Sequence, residues 1–261
     1  MKFQPRAKHI QYDAIKPSEF GDISGVVCRE KMDIWSKLKS DSSLEGLVDL
    51  IVSWGAQRYQ ETEFVRAKEE FDGLMGKSFY DEASYHARMA YFLDYCSFAR
   101  PVADEYTAQG RTPLEDVLEN APIREHISDE NIKKLKILRE YRHSLFGVEK
   151  VQKEGIIVRD LLEDQEKLFL RKNWAGNIGG YSKGCVLQGF IFPIEGVWQM
   201  SNGVLEHPKV AHNWIVKKIK ESKKLKDYRQ MRILSEFARK HLNSGRWRHE
   251  NVLELYKRDH S

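Results

Sequence analysis

Lysine and arginine crowd the C-terminal part of this 261-residue sequence. Lys217, Lys218, Lys220, Lys223, Lys224 and Lys226 fall within ten positions, and Arg229, Arg232, Arg239 and Lys240 follow. The run Arg246-Trp247-Arg248-His249 then sets an indole between two guanidinium groups. Closely spaced ammonium groups neutralise phosphates and gain affinity by releasing condensed counterions. A tryptophan flanked by cations suits stacking on an unpaired base. The plainer reading of the same residues is a solvated helix face with Trp247 in the core, and no recognised nucleic-acid motif accompanies them. The charge is nonetheless segregated. From Pro208 onward there are 15 basic and 6 acidic residues, a net of +9, whereas the remainder holds 28 basic and 33 acidic, a net of −5. Such a split points to an anionic partner, either nucleic acid or an acidic protein, or to a basic segment docked on its own acidic body.

A second constellation is the loop Gly176-Asn177-Ile178-Gly179-Gly180-Tyr181-Ser182-Lys183-Gly184. Glycine-rich loops cradle phosphates when successive backbone N–H groups converge. The phosphate-loop pattern requires Gly-Lys-Ser/Thr opening a helix. Here Ser182 precedes Lys183 and Gly184 follows it, so a connection between strands is the simpler reading. If this loop instead lips a small-ligand site, Arg159, Trp174 and Lys183 are its candidate contacts.

Glu82 and His86 are four apart, which places them on one face if the segment is helical, with Glu69, Glu70 and Asp72 upstream. Di-iron bundles need Glu-x-x-His at three-residue spacing on two helices. That pattern is absent, so an ion pair is expected and no metal or other cofactor is called for. There is no Gly-x-Ser-x-Gly, and His249-Glu250 lacks a second histidine four residues on. Cys28, Cys96 and Cys185 are odd in number and far apart, which argues against a disulfide framework or a cysteine zinc site. No catalytic residue can be assigned from these patterns.

The elements that position these groups follow from periodicity. Residues 1–27 read as an extended lead-in, and Arg29 to Lys39 as a short helix. Apolar residues at three- and four-residue steps mark helices with one buried stripe. The first carries Leu47, Val48, Ile51 and Trp54. The second carries Phe64, Ala67, Phe71 and Leu74, and the third Tyr85, Met89, Phe92, Leu93 and Cys96. Thr112-Pro113 is an N-cap followed by proline at the first helical position, and Ser128 caps a helix through Ile132, Leu135, Leu138 and Tyr141. Near Leu145 the pattern turns to β. Short runs at Leu145–Val151, Ile156–Leu162, Lys167–Leu170, Cys185–Ile194 and Val197–Met200 are separated by turn residues. Pro193 marks a strand end or edge. After Pro208 the helical period returns, first through Trp214, Ile215 and Ile219. Tyr228, Met231, Leu234, Phe237 and Ala238 line a second helix, Gly245 marks a break, and Val252, Leu255 and Tyr256 define a last one.

The expected class is α+β: a mainly helical region over 1–143, a small antiparallel β-meander or barrel over 144–207, and a basic helical region over 208–261. Strands grouped between helical blocks argue against a doubly wound parallel sheet. No apolar run reaches the length of a spanning helix. The polar N-terminus lacks the apolar core of a secretory signal, so a cytoplasmic, non-membrane protein is expected.

Phe92-Leu93 and Phe98 are followed by Thr112-Pro113-Leu114. Then come Ser144-Leu145-Phe146-Gly147-Val148 and Ile157-Val158-Arg159-Asp160-Leu161-Leu162. This order resembles a loose group of uncharacterised bacterial proteins that join a helical region to a small β-unit with a V…G…V-x-D-L-L pattern. Some of them carry an adjacent cysteine-rich zinc motif, which this chain lacks. The resemblance covers about a third of the sequence and implies the fold of that segment, with no reaction attached.

Three functional expectations follow. The leading one is a non-enzymatic regulatory or adaptor protein whose basic C-terminal helices bind nucleic acid or an acidic partner. The second is a sensor of a small ligand or nucleotide held at the β-unit. The third is an enzyme whose site is assembled from residues distant in sequence.

Overall fold

Capping side chains set where the helices begin. Ser43 Oγ accepts the N–H of Gly46 at 3.1 Å and opens α1, Leu44–Arg58. Glu61–Met75 forms α2 and Tyr85–Asp94 forms α3, which continues as a π-helical turn, Tyr95–Ala99. Thr112 opens α4, Pro113–Glu119, with a reciprocal capping box: Thr112 Oγ1 accepts the N–H of Glu115, and Glu115 Oε2 accepts the N–H of Thr112 at 2.8 Å. Ser128 caps α5, Asp129–Leu138, as its sequence predicts. Six strands follow: β1 (Arg142–Val151), β2 (Gly155–Asp160), β3 (Lys167–Arg171), β4 (Val186–Ile194), β5 (Val197–Met200) and β6 (Leu205–His207). A 3₁₀ turn, Lys209–Ala211, leads into α6 (His212–Ser222), α7 (Gln230–Arg246) and α8 (Val252–Lys257).

This computed structural model describes residues 43–59, 61–103, 106, 110–119, 127–163, 167–171, 181–225, 228–246 and 251–258, all within one unit, Leu38–Ser261. The expected lead-in, the helix from Arg29 to Lys39, Cys28, Trp174, residues 176–180, Lys226, Trp247 and Arg248 lie outside the described residues.

The fold is α+β, with a mixed six-stranded sheet between helical blocks. Pairing runs β1–β2–β3–β5–β4–β6, and β4 also pairs with β1. β3 meets β5 at a single parallel pair, Leu170 with Trp198, so the sheet falls short of a closed barrel. That parallel contact corrects the purely antiparallel expectation. β6, a three-residue strand too short to show a period, adds a sixth strand to the five expected and pairs antiparallel with β4.

Register assigns the two faces. His143, Leu145 and Gly147 of β1 stand opposite Phe190, Gln188 and Val186 of β4. Leu145 and Val186 pack with Ile215 and Ile219 of α6, Leu234 and Phe237 of α7 and Tyr256 of α8. The other face, with Phe146, Val148, Leu187 and Ile191, turns inward on Ile156, Val158, Leu168, Leu170 and Met200. Each fully buried aliphatic or aromatic side chain contributes about 1.5–3 kcal/mol, so both cores stabilise the same two central strands.

The residues of the bacterial resemblance close this unit. Asp160 Oδ1 accepts Ser144 Oγ at 2.5 Å and the N–H groups of Leu162 and Glu163 at 3.0 Å. Asp160 therefore ties the end of β2 to β1 and shapes the turn that sends Leu162 into the helix-facing core. In this chain the V-R-D-L-L run does structural work.

Two helical stripes are offset from the expected ones. In α2 the buried residues are Glu63, Ala67, Phe71 and Met75, and Phe64 is 51% exposed. In α3 and its π turn, Arg88, Tyr91, Phe92, Tyr95 and Phe98 are buried. The cause is partnering. Glu63 is drawn inward by Arg100 at 2.7 Å, and Arg88 and Tyr91 find polar partners inside.

Candidate functional site

The apolar stripe of α6 decides where its lysines go. Ile215 and Ile219 face the core, which leaves Lys217, Lys220 and Lys224 on the opposite side at three- and four-residue steps, all exposed. Lys218 and Lys223 flank them, half-buried. Lys217 Nζ lies 3.8 Å from Glu221 Oε1, with its side chain 75% exposed. Glu221 is the only acidic residue from 217 to 225, against five lysines. Arg229, exposed, precedes α7 and extends the basic surface.

The cations of α7 are used differently. Arg239 donates from Nε to the carbonyl of Leu74 at 2.8 Å and from its second nitrogen to that of Gly73. These carbonyls close the C-terminus of α2, where a positive charge also offsets the helix dipole. Lys240 is 1% exposed; its ammonium donates to the carbonyl of Arg258 at 2.7 Å and sits 4.9 Å from the Trp214 ring centroid. Arg246 pairs with Glu82 at 2.5 Å and donates to the carbonyl of Lys77. The expected Glu82–His86 pair does not form. Glu82 lies ahead of α3, accepts the Phe79 N–H at 3.1 Å and meets Arg246, while His86 packs its ring near Tyr80 and Tyr85. The pairing comes from α7, far away in sequence, and no spacing rule reaches it.

Of the residues named for a ligand site, Arg159 is engaged within the β-unit. Arg159 donates to Glu149 at 2.6 Å, and Lys167 joins the same carboxylate at 3.1 Å. Lys183 is exposed in the turn before β4.

Residues with general acid–base character do converge, but inside the molecule. Tyr256 donates its hydroxyl to His207 Nδ1 at 2.7 Å, and His207 Nε2 meets Gln188 Oε1 at 3.1 Å. Because a carbonyl oxygen only accepts, His207 carries its proton on Nε2. The Gln188 amide donates to Tyr91 Oη and to the Leu234 carbonyl, each at 2.9 Å. Tyr91 is then left to donate to His143 Nε2 at 2.5 Å. His143 stacks on Phe190 with ring centroids 4.0 Å apart.

This chain of side chains joins α3, β1, β4, β6, α7 and α8, and four of its five members are fully buried. Burial pushes the His143 imidazole down to about 3 and that of His207 well below its ordinary value, so both rings are neutral at physiological pH. Alongside, Arg88 donates to the carbonyls of Ala238, Met75 and Gly76 at 3.0, 2.6 and 2.8 Å. Burial lowers it to about 10, still protonated at neutral pH. Asp94 is raised to about 7 by burial, partly opposed by the Ser201 hydroxyl and the Gly203 N–H. These side chains are buried, and the hydrogen bonds they make orient helices on the sheet.

Sequence reasoning missed this network. His143 and His207 were two of nine histidines, and only the β1–β4–β6 register brings them to either side of Gln188. Among the described residues no group of three or more metal-ligating side chains converges, and no helix is long and apolar enough to cross a membrane. No protein-family model matches the chain, and neither a curated protein nor a solved structure matches it.

Proposed function

We propose that this protein acts as a regulatory or adaptor protein, without chemistry of its own, that binds a polyanionic partner through α6 and the turn after it. The partner is nucleic acid or an acidic protein surface. One observation carries the reading: Lys217, Lys220 and Lys224 share an exposed face opposed by a single acidic side chain, whereas Arg239, Lys240 and Arg246 are committed to partners within the fold. The exposed lysines of α6 and the turn after it therefore form one basic surface. Such a surface steers anions and raises their association rate in a salt-dependent way.

The test is fluorescence polarisation of the whole protein with labelled oligonucleotide and with a labelled poly-glutamate peptide, at about 50 and about 200 mM salt. The triple variant Lys217→Gln, Lys220→Gln, Lys224→Gln is expected to bind more weakly, with a salt slope shallower by up to about three counterions. Equal binding by the variant and the parent would sink the proposal.

A further inference from the structure

The far end of α7 presents a second surface of different chemistry. Between α2 and α3, the segment from Lys77 to His86 carries Phe79, 53% exposed, and Tyr80, 65% exposed. Burying such rings is worth a few kcal/mol, so leaving two adjacent ones in water asks for a reason. The segment is held in place from both sides. Gly76 turns the chain at φ +88°, and a Cβ there would meet Leu242 of α7 at 3.0 Å. Arg246 grips Glu82 and the Lys77 carbonyl, and Glu82 holds the Phe79 N–H.

Cations cover Phe79, and Tyr80 stays open. The Arg246 guanidinium carbon lies 5.4 Å and the Lys77 ammonium 5.8 Å from the Phe79 centroid. Tyr80 is braced edge-on by Tyr85 at 5.3 Å and by His86 at 6.2 Å. An edge-on brace fixes a ring without covering its faces. Of the nearby charges, Glu82 is matched by Arg246, and Lys77 and Arg239 outnumber Asp81. The patch thus pairs a fixed, exposed aromatic ring with a modest excess of cations, the combination that receives an unpaired base and its phosphate. An acidic peptide would use the cations and leave the ring idle. A duplex hides the faces of its bases in the stack.

We infer that the partner of this protein is a single-stranded nucleic acid, with an unpaired base stacked on Tyr80, next to the cation-covered Phe79, and phosphates held by the α6 lysines. The inference rests on the polyanion reading above. It is tested with the full chain and one labelled oligonucleotide, offered as a single strand and as its duplex. Tyr80→Ala is expected to weaken single-strand binding by about fivefold or more, the lower end of one lost base stack, and to leave duplex binding unchanged. Tyr80→Phe should retain the single-strand affinity, since the ring and not the hydroxyl is used. Circular dichroism and the melting temperature verify that both variants fold. If the parent binds but Tyr80→Ala changes nothing, or weakens both forms equally, the stacking inference fails and the polyanion reading stands. Binding of neither form and of no glutamate peptide would overturn both, and binding of the glutamate peptide alone would overturn the choice of nucleic acid.

Discussion

α6 and α7 are adjacent in sequence and similar in composition, yet they spend their cations in opposite ways. On α6 and the turn after it, Lys217, Lys220 and Lys224 stand away from the core and are exposed. On α7, Arg239, Lys240 and Arg246 turn back to carbonyls and a carboxylate of the body. The difference is not in the residues. Helix α7 lies against the C-terminal end of α2, where unpaired carbonyls attract donors, while Lys217, Lys220 and Lys224 lie on the side of α6 away from its buried stripe. Net charge along a chain therefore overstates the charge available to a partner.

Breaking the inner set should have the largest effect. Arg88→Met removes the side chain that joins α7 to the end of α2 and leaves three carbonyls without their donor. Hydrogen bonds to a charged donor are worth about 1.5–3 kcal/mol each, so a loss of about 3–5 kcal/mol is expected, read from the urea midpoint. A variant as stable as the parent would show that Arg88 does not bind these elements together.

Gln188→Leu is the next step down. It keeps the volume of the residue but leaves His207 Nε2–H unpaired within the core and takes from Tyr91 Oη its donor. Each such group costs about 1–3 kcal/mol, so a loss of about 2–4 kcal/mol is expected, with no change in oligonucleotide affinity. A binding defect at full stability would mean the network reaches the outer surface.

The inner groups also predict how stability changes with pH. His143, held near 3, His241, held near 4, and His207 are neutral in the folded protein and protonate in the unfolded chain below their ordinary 6.5. The unfolded state thus binds more protons, and their contribution, fully present above pH 6.5, is lost as pH falls toward 4. Asp94 runs the other way. With its folded value near 7 against an ordinary 3.8, its contribution is greatest at low pH and is lost as pH rises through 7. Three histidines outweigh one carboxyl on the acid side, so stability should peak near neutrality. Asp94→Asn should flatten the decline between pH 6.5 and 8 in a series of urea titrations; a decline of unchanged slope would assign it to another group.

The smallest effect sharpens the comparison most. Arg239→Gln should cost about 0.5–1.5 kcal/mol of stability and leave binding alone. The triple α6 lysine variant should stay within about 0.5 kcal/mol of the parent and lose binding. Reversed outcomes would exchange the roles assigned to the two helices.

Much of the fold was legible. Thr112-Pro113 and Ser128 announce their helices because capping is local chemistry. The switch to a two-residue period near Leu145 locates the sheet, with β5 at its expected ends. The buried faces of α2 and α3 were misplaced because apolarity was used as the sign of burial, and Glu63, Arg88 and Tyr91 are inside on account of partners remote in sequence. β6 and the parallel β3–β5 contact escaped for a related reason: three residues, or one pair, carry no periodic signal.

By itself the sequence determined the α+β class, the positions of most helices and strands, and the segregation of positive charge after Pro208, since caps, periods and composition act over a few residues. Which cations remain open to a partner, which histidines share one glutamine, and that Tyr80 stands exposed beside the end of α7 were decided by tertiary structure alone. Those properties depend on how elements from opposite ends of the chain pack, and burial, pairing and exposure arise only when that packing is complete.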